Sequence, residues 1–297
     1  MKSILILVAI FLTGNLLAQD EYKIKFDRNE KVGTKYGLEA KAVDSKTMKM
    51  SREGKVLKSH EENMEYNFFA NITIQEHDTE KKIFTSKIAI HSFSTKNLKS
   101  GEVSEIFKKG TVIIRKRVDK TTEFTIEDKA LEPAQLKAIK KIFSSGKTSV
   151  KDDDIFGTEK LKKIGDSWPI NKKTAIEDLK NEGIEIGEND LSGFAKLEKK
   201  ETILDTETLL ISGKLSSEKM PMPPNMKLPQ NAVLEASRLE VTFMGHFPTD
   251  LVTPRLTSSY KMSGFLDIVI PGNGSAIHLK TIMKSSKELK RVKFKED

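Results

Sequence analysis

Apolar and polar residues alternate along much of this chain. In the stretch 66–74 the alternating apolar side chains are Tyr66, Phe68, Ala70, Ile72 and Ile74. The same period of two recurs in 234–243, 263–270 and 277–283. Because successive side chains of a strand point to opposite faces, this pattern predicts long antiparallel strands with one buried face. The link 271–275 (Pro-Gly-Asn-Gly-Ser) predicts a hairpin between the last two strands.

Two segments instead repeat their apolar residues with a helical period. The first spans 133–145, and its apolar stripe consists of Leu136, Ile139, Ile142 and Phe143. Pro133 suits a first helical position, and Gly146 can end the helix. The second helix is predicted to start near Thr174, which has capping-box spacing to Glu177, and to stop at Gly183. The predicted fold class is therefore α+β, predominantly antiparallel β, with long curved strands and two short helices.

Two short echoes predict an internal repeat. Residues 31–36 (Lys-Val-Gly-Thr-Lys-Tyr) resemble residues 163–168 (Lys-Ile-Gly-Asp-Ser-Trp), and an Asp-Thr-Glu run occurs at both 78–80 and 205–207. We expect both runs to be turns, because each lies between strand-like segments. The echoes predict two related β-rich halves, 19–150 and 151–297, the first ending in a helix. The acidic run Asp152-Asp153-Asp154 is expected to be a solvated linker between these halves.

The junction of the two halves resembles that of a known group of proteins. Asp154-Ile155-Phe156-Gly157, followed by the Gly-Asp-Ser-Trp of residues 165–168, is similar to a Gly-Asp-x-Trp step in uncharacterised exported bacterial proteins. The resemblance implies a β-rich half on either side of this step, and it carries over no catalytic residue. The expected architecture is also similar to that of periplasmic lipoprotein carriers, in which helices close a curved antiparallel sheet.

The first eighteen residues have the layout of a secretory signal peptide. Lys2 supplies the positive start, Ile4 to Leu12 forms the apolar run, and Ala18 is the expected cleavage position. The chain is therefore predicted to be exported to the periplasm or the extracellular space. No later stretch is long and apolar enough for a membrane helix, so we expect no transmembrane segment in the mature chain.

Composition excludes several kinds of chemistry. The chain has no Cys, so disulfides, thiolate zinc sites and Cys nucleophiles are excluded. The net charge of +8 comes almost entirely from Lys, whereas nucleic-acid recognition relies on Arg, so we expect no nucleic-acid partner. A basic surface could instead contact an anionic envelope surface.

No motif in the sequence has the spacing of a catalytic site or a metal site, and we expect no cofactor. The Ser-x-x-Lys pairs lack the partner motifs of penicillin-binding enzymes. The histidines lack the spacing of a helical zinc site, although a site assembled across strands has no sequence signature. They are His60, His77, His91, His246 and His278.

Four residues are candidate ligand contacts: Trp168, Met220, Met222 and Met226. Trp168 either packs in the core or stacks on a ligand. The Met-Pro segment 220–226 is predicted to be a loop. It could bind Cu(I), form an adaptable lid over an apolar ligand, or simply cover the sheet.

Three functions follow from these patterns. The leading hypothesis is an exported, non-enzymatic protein that holds a lipid or other apolar ligand on a concave sheet face. The alternative is a cell-envelope scaffold or adaptor acting through its sheet edges and basic surface. The third is a hydrolase whose residues come from distant strands. An accessible apolar pocket on the sheet would favour the first.

Overall fold

The computed structural model describes residues 20–296, apart from residues 29, 79, 120, 144–149, 182–183, 221–228 and 273. The predicted signal peptide and its cleavage position, together with Met222 and Met226, lie outside the described residues. About 60% of the chain is strand and 11% is helical, which confirms the predicted fold class.

The strands of the first half alternate in direction, as the sequence pattern predicts. They are β1 (Lys35–Arg52), β2 (Lys55–Asp78), β3 (Ile83–Asn97), β4 (Val103–Phe107), β5 (Val112–Val118), β6 (Thr121–Ile126) and β7 (Lys129–Ala130). The link between β1 and β2 consists of Glu53 and Gly54, both with positive φ, which is the type I′ geometry that suits the twist of a hairpin. Helix α1 (Pro133–Ile142) follows β7, which confirms the first predicted helix.

The second half begins with two short helices and an edge strand. Helix α2 (Asp152–Phe156) occupies the acidic run, so the run is helical rather than the expected linker, although Asp152 and Asp154 are exposed to solvent as expected. The run folds because Asp153 accepts hydrogen bonds from the main-chain N–H groups of Phe26 and Asp27. Strand β8 (Ser167–Pro169) comes next, followed by α3 (Lys172–Asn181), the second predicted helix.

Helix α3 starts slightly earlier than predicted. The side chain of Asn171 accepts a hydrogen bond from the main-chain N–H of Thr174, so Asn171 rather than Thr174 satisfies the first turn. Five long strands complete the chain: β9 (Leu191–Ile203), β10 (Thr206–Ser217), β11 (Val233–Pro248), β12 (Thr257–Ile270) and β13 (Ile277–Val292). The predicted hairpin at 271–275 joins β12 to β13.

All thirteen strands of the described residues belong to one curved, open sheet. The order is β7-β6-β5-β3-β2-β1-β13-β12-β11-β10-β9-β8, with β4 beside β3. The first strand therefore pairs with the last, antiparallel, from Gly37 opposite Val292 to Arg52 opposite Ile277. The chain runs outward from the centre to one edge, crosses with its helices, and returns inward from the other edge.

The core lies on one face of the sheet, which we call the inner face. In the first half α1 packs there against the buried residues of β2 and β3, including Phe68, Ile88 and Ile90. In the second half α2 and α3 cover β9 to β12, and the segment before β1 adds Ile24 and Phe26 to the core. The opposite, outer face carries the alternating polar side chains.

Candidate functional site

A cleft of about 520 Å³ opens between α1 and the inner face of the sheet, and we call it the α1 cleft. Its volume falls within the range of small-molecule sites. Met64 and Tyr66 of β2 contribute to its lining, together with Ile106 of β4. These side chains belong to, or pack against, the buried core of the first half. The apolar lining is therefore continuous with the core.

Small residues on α1 leave the space for this cleft. Ala134 and Ala138 line it and are four positions apart, so they lie on the same side of the helix. The adjacent, core-facing positions of the helix carry the larger Ile139 and Ile142, which are fully buried in the core together with Ala138. Helix α1 is therefore anchored in the core by its large side chains, and the short side chain of Ala134 leaves space between the helix and β2.

Polar contacts fix α1 against the centre of the sheet. Lys141 near the end of α1 forms an ion pair with Asp44 of β1. Asp44 also accepts a hydrogen bond from Ser285 of β13 at 2.8 Å. The Phe143 ring packs edge-on against Phe68, with ring centroids 5.5 Å apart. These contacts hold one wall of the cleft in place on both central strands.

The rim of the α1 cleft is polar. His60 Nε2 lies 3.0 Å from Glu62 Oε1, and this hydrogen bond lowers the pKa of Glu62. Asn63 donates to Glu61 at 2.7 Å, and Lys137 of α1 lies opposite. An apolar floor with a charged rim suits a molecule with an apolar body and a polar end.

The ligand contacts predicted from the sequence, Trp168 and Met220, lie outside the α1 cleft. Trp168 is buried in the second half, and its indole N–H donates to the main-chain carbonyl of Phe156 at 2.7 Å. Met220 is buried in a neighbouring cluster with Leu239, and its main-chain N–H donates to Ser237 Oγ at 2.6 Å. Neither lines the α1 cleft, and their role as ligand contacts stays a prediction.

The structure also assembles polar groups that spacing could not reveal. His246 of β11 lies between Glu201 Oε1 at 2.6 Å and Thr257 Oγ1 at 2.5 Å. The order hydroxyl, imidazole, carboxylate is that of a nucleophilic triad. Neither the α1 cleft nor a smaller cleft of about 170 Å³ between Arg238 and Ile282 is lined by these groups. Their contacts are those of a hydrogen-bond network that connects three strands, β9, β11 and β12.

Comparison with known proteins assigns no family to this chain. No family model and no curated protein matches it. Among solved structures, one on lipid–protein interactions in lipovitellin is 9% identical, with a TM-score of 0.35, and covers 88% of this chain. This chain covers 25% of the lipovitellin chain.

Two further structures have lower TM-scores. OpdQ of Pseudomonas aeruginosa is 9% identical, with a TM-score of 0.26, over 85% of this chain and 97% of its own. MucB in complex with MucA is 9% identical, with a TM-score of 0.19, over 82% and 88%. All three TM-scores are below 0.5, so they assign neither a fold family nor a function. Among the described residues, no helix has the length and apolar character needed to cross a membrane.

Proposed function

We propose that this chain is an exported, non-enzymatic protein that binds a lipid or another apolar ligand in the α1 cleft. The observation that carries the proposal is the open cleft of about 520 Å³ whose apolar lining continues into the core. Burial of an apolar chain there would remove surface from water on both partners, at roughly 25 cal/mol per Å². The cleft is open to solvent, so a ligand can enter without unfolding of α1.

The residues that line the α1 cleft indicate which kind of lipid or apolar ligand it would bind. Met64 supplies a flexible thioether and Tyr66 an aromatic ring, both of which adapt to alkyl chains. Glu61, Glu62 and Lys137 provide charges of both signs at the rim. A neutral or zwitterionic head group therefore suits this rim better than a strongly anionic one.

The edges of the sheet favour ligand binding over the scaffold alternative. The edge strands of the described sheet are β7, with two residues, β8, with three, and β4, with five, which pairs with β3 alone. Such short edges offer few free main-chain groups for the addition of a partner strand. A scaffold would therefore have to use the basic surface, where contacts weaken as salt is added.

A fluorescent probe tests the proposal directly. Diphenylhexatriene is a neutral apolar rod whose emission rises when it leaves water, and we expect the purified protein to bind it saturably. Ala134→Phe should weaken this binding at least about tenfold, because the ring fills space that the exposed alanine leaves open. Ala130→Phe is the matched control, since Ala130 is an exposed alanine of β7 outside the cleft.

Two results would count against the proposal. One is the absence of saturable probe binding by the unmodified protein. The other is equal probe affinity of the Ala134→Phe and Ala130→Phe variants. Thermal unfolding of both variants checks that any loss of binding reflects a filled cleft, because neither exposed position should change Tm by more than about 2 °C.

A further inference from the structure

We propose that Glu235, Asp267 and His278 form a binding site for a divalent transition metal, best suited to Zn²⁺, on the outer face of the sheet. One ligand atom from each side chain lies within 4.8 Å of the other two. The site is separate from the α1 cleft and does not depend on the function proposed above.

Strand pairing brings these three residues together. Asp267 of β12 is opposite Lys280 of β13, and His278 is opposite Val269, so Asp267 and His278 are diagonal neighbours on the same face. Leu266 and Ile268, on either side of Asp267, are fully buried, which places the Asp267 side chain on the outer face.

A bulge supplies the third group. The register between β11 and β12 shifts between Leu234 and Ala236, so Glu235 is an extra residue without an opposite partner. Bulges turn a side chain away from the regular alternation and recur beside functional sites. Glu235 is the bulged residue, and its Oε2 lies 3.7 Å from His278 Nδ1.

The separations match those of metal ligands. His278 Nδ1 is 3.5 Å from Asp267 Oδ1 and 3.7 Å from Glu235 Oε2. Ligand atoms about 2.0–2.1 Å from a tetrahedral Zn²⁺ are about 3.3 Å apart. The two separations from His278 are therefore within about 0.4 Å of this value, and the Asp267 and Glu235 carboxylates are at most 4.8 Å apart, so a movement of the exposed Glu235 side chain would place three ligands around one ion.

Two of the ligand atoms are buried without a hydrogen bond. Asp267 is only 7% exposed, and in the described part of the chain neither its Oδ1 nor His278 Nδ1 has a hydrogen-bond partner. A buried polar atom without a partner is costly, and a cation between these two atoms would satisfy both. Lys280 Nζ lies 3.1 Å from the other Asp267 oxygen, which leaves Oδ1 for the metal and orients the carboxylate.

The donor set selects the kind of metal. One imidazole nitrogen with two carboxylates suits Zn²⁺, whereas Mg²⁺ and Ca²⁺ prefer oxygen ligands alone and in greater number. Three protein ligands leave a fourth position for water, as in zinc sites that are open to solvent. The site would therefore hold Zn²⁺ with one exchangeable ligand.

Calorimetric titration of the purified protein with zinc chloride tests this assignment, provided that the protein carries no histidine tag. We expect one Zn²⁺ per chain, with no displacement by equimolar Mg²⁺. His278→Ala and Asp267→Asn should each weaken Zn²⁺ binding at least about tenfold. His246→Gln is the matched control, because His246 contacts a single carboxylate, and its Zn²⁺ affinity should equal that of the unmodified protein.

The same experiment can overturn the proposal. Absence of Zn²⁺ binding, unchanged affinity in the His278→Ala variant, or an equal loss in the His246→Gln variant would each contradict it. Thermal unfolding with and without Zn²⁺ separates a lost site from a lost fold: Zn²⁺ should raise the Tm of the unmodified protein and not that of a folded His278→Ala variant.

Discussion

Phe26 provides a test of whether the segment before β1 packs in the core of the second half. Its side chain is 3% exposed, and it packs on the inner face of the second half, far from its own strand β1 in the sheet order. The ring is edge-on to Phe247, with centroids 4.9 Å apart, and to Phe243, with centroids 5.8 Å apart. Phe26→Ala therefore removes a core ring, although the residue lies outside every strand.

The expected cost follows from the burial. Truncation of a buried Phe to Ala lowers the free energy of unfolding by about 3–5 kcal/mol. The loss of three aromatic pairs, with Phe156, Phe243 and Phe247, places Phe26 toward the upper end of this range. For a chain of this size such a loss lowers Tm by about 6–20 °C. Thermal and urea unfolding followed by circular dichroism measure both quantities.

Phe194→Ala is the control, because Phe194 belongs to β9 of the same half and is 43% exposed. The Phe194→Ala substitution should lower the free energy of unfolding by less than about 1 kcal/mol. Equal Tm values for the two variants would refute the placement of Phe26 in the core.

Three further predictions concern the same half and use the same unfolding assay. Gly213→Ala should cost about 1–3 kcal/mol, since an added Cβ would collide with the Phe243 ring; an unchanged Tm would contradict this contact. Trp168→Phe should cost about 1–3 kcal/mol, because it leaves a main-chain carbonyl without its hydrogen bond, and a neutral effect would contradict that bond. Asp27→Asn should raise Tm by about 1–3 °C at pH 7.5 and leave it unchanged at pH 3. Asp27 is exposed, but partial desolvation of its carboxylate and the charge of Asp153 raise its pKa from 3.8 to about 6, so the ionised carboxylate destabilises the fold increasingly from pH 4 to 6. Equal gains in Tm at both pH values would contradict this.

The local structure could be predicted from the sequence because it depends on neighbouring residues. Alternation in 66–74 predicted a long strand, and that stretch lies within β2. The stripe that begins at Leu136 predicted α1, and the Pro-Gly-Asn-Gly-Ser link predicted the last hairpin. Each of these signals acts over a few residues, where turn chemistry and periodicity decide the conformation.

The long-range arrangement could not be predicted in the same way. Strands β1 and β13 come from opposite ends of the chain, and no residue pattern in either strand indicates that the two pair. The acidic run at 152–154 became helical because the main chain of residues 26 and 27 reaches Asp153, a contact between distant segments. Whether the sequence echoes reflect a true repeat, and whether the Gly-Asp-x-Trp resemblance holds, stay predictions.

The site was only partly visible in the sequence. The hypothesis of an apolar pocket came from the strand pattern, whereas its position depends on how α1 crosses β2. The helical spacing of Ala134 and Ala138 is a local signal of that position, but the predictions from the sequence did not use it. His278 could not be linked to Glu235 and Asp267, because strand register and a bulge, rather than sequence spacing, bring them together.

The most direct test of the central claim is crystallographic location of a bound alkyl chain. Crystals of the protein grown with 12-bromododecan-1-ol, whose head group is neutral, would give an anomalous signal from bromine. We predict this signal between α1 and β2, within van der Waals contact of Met64 and Tyr66. Bromine located only outside the α1 cleft, or a cleft that stays filled by its own side chains at saturating ligand, would contradict the account.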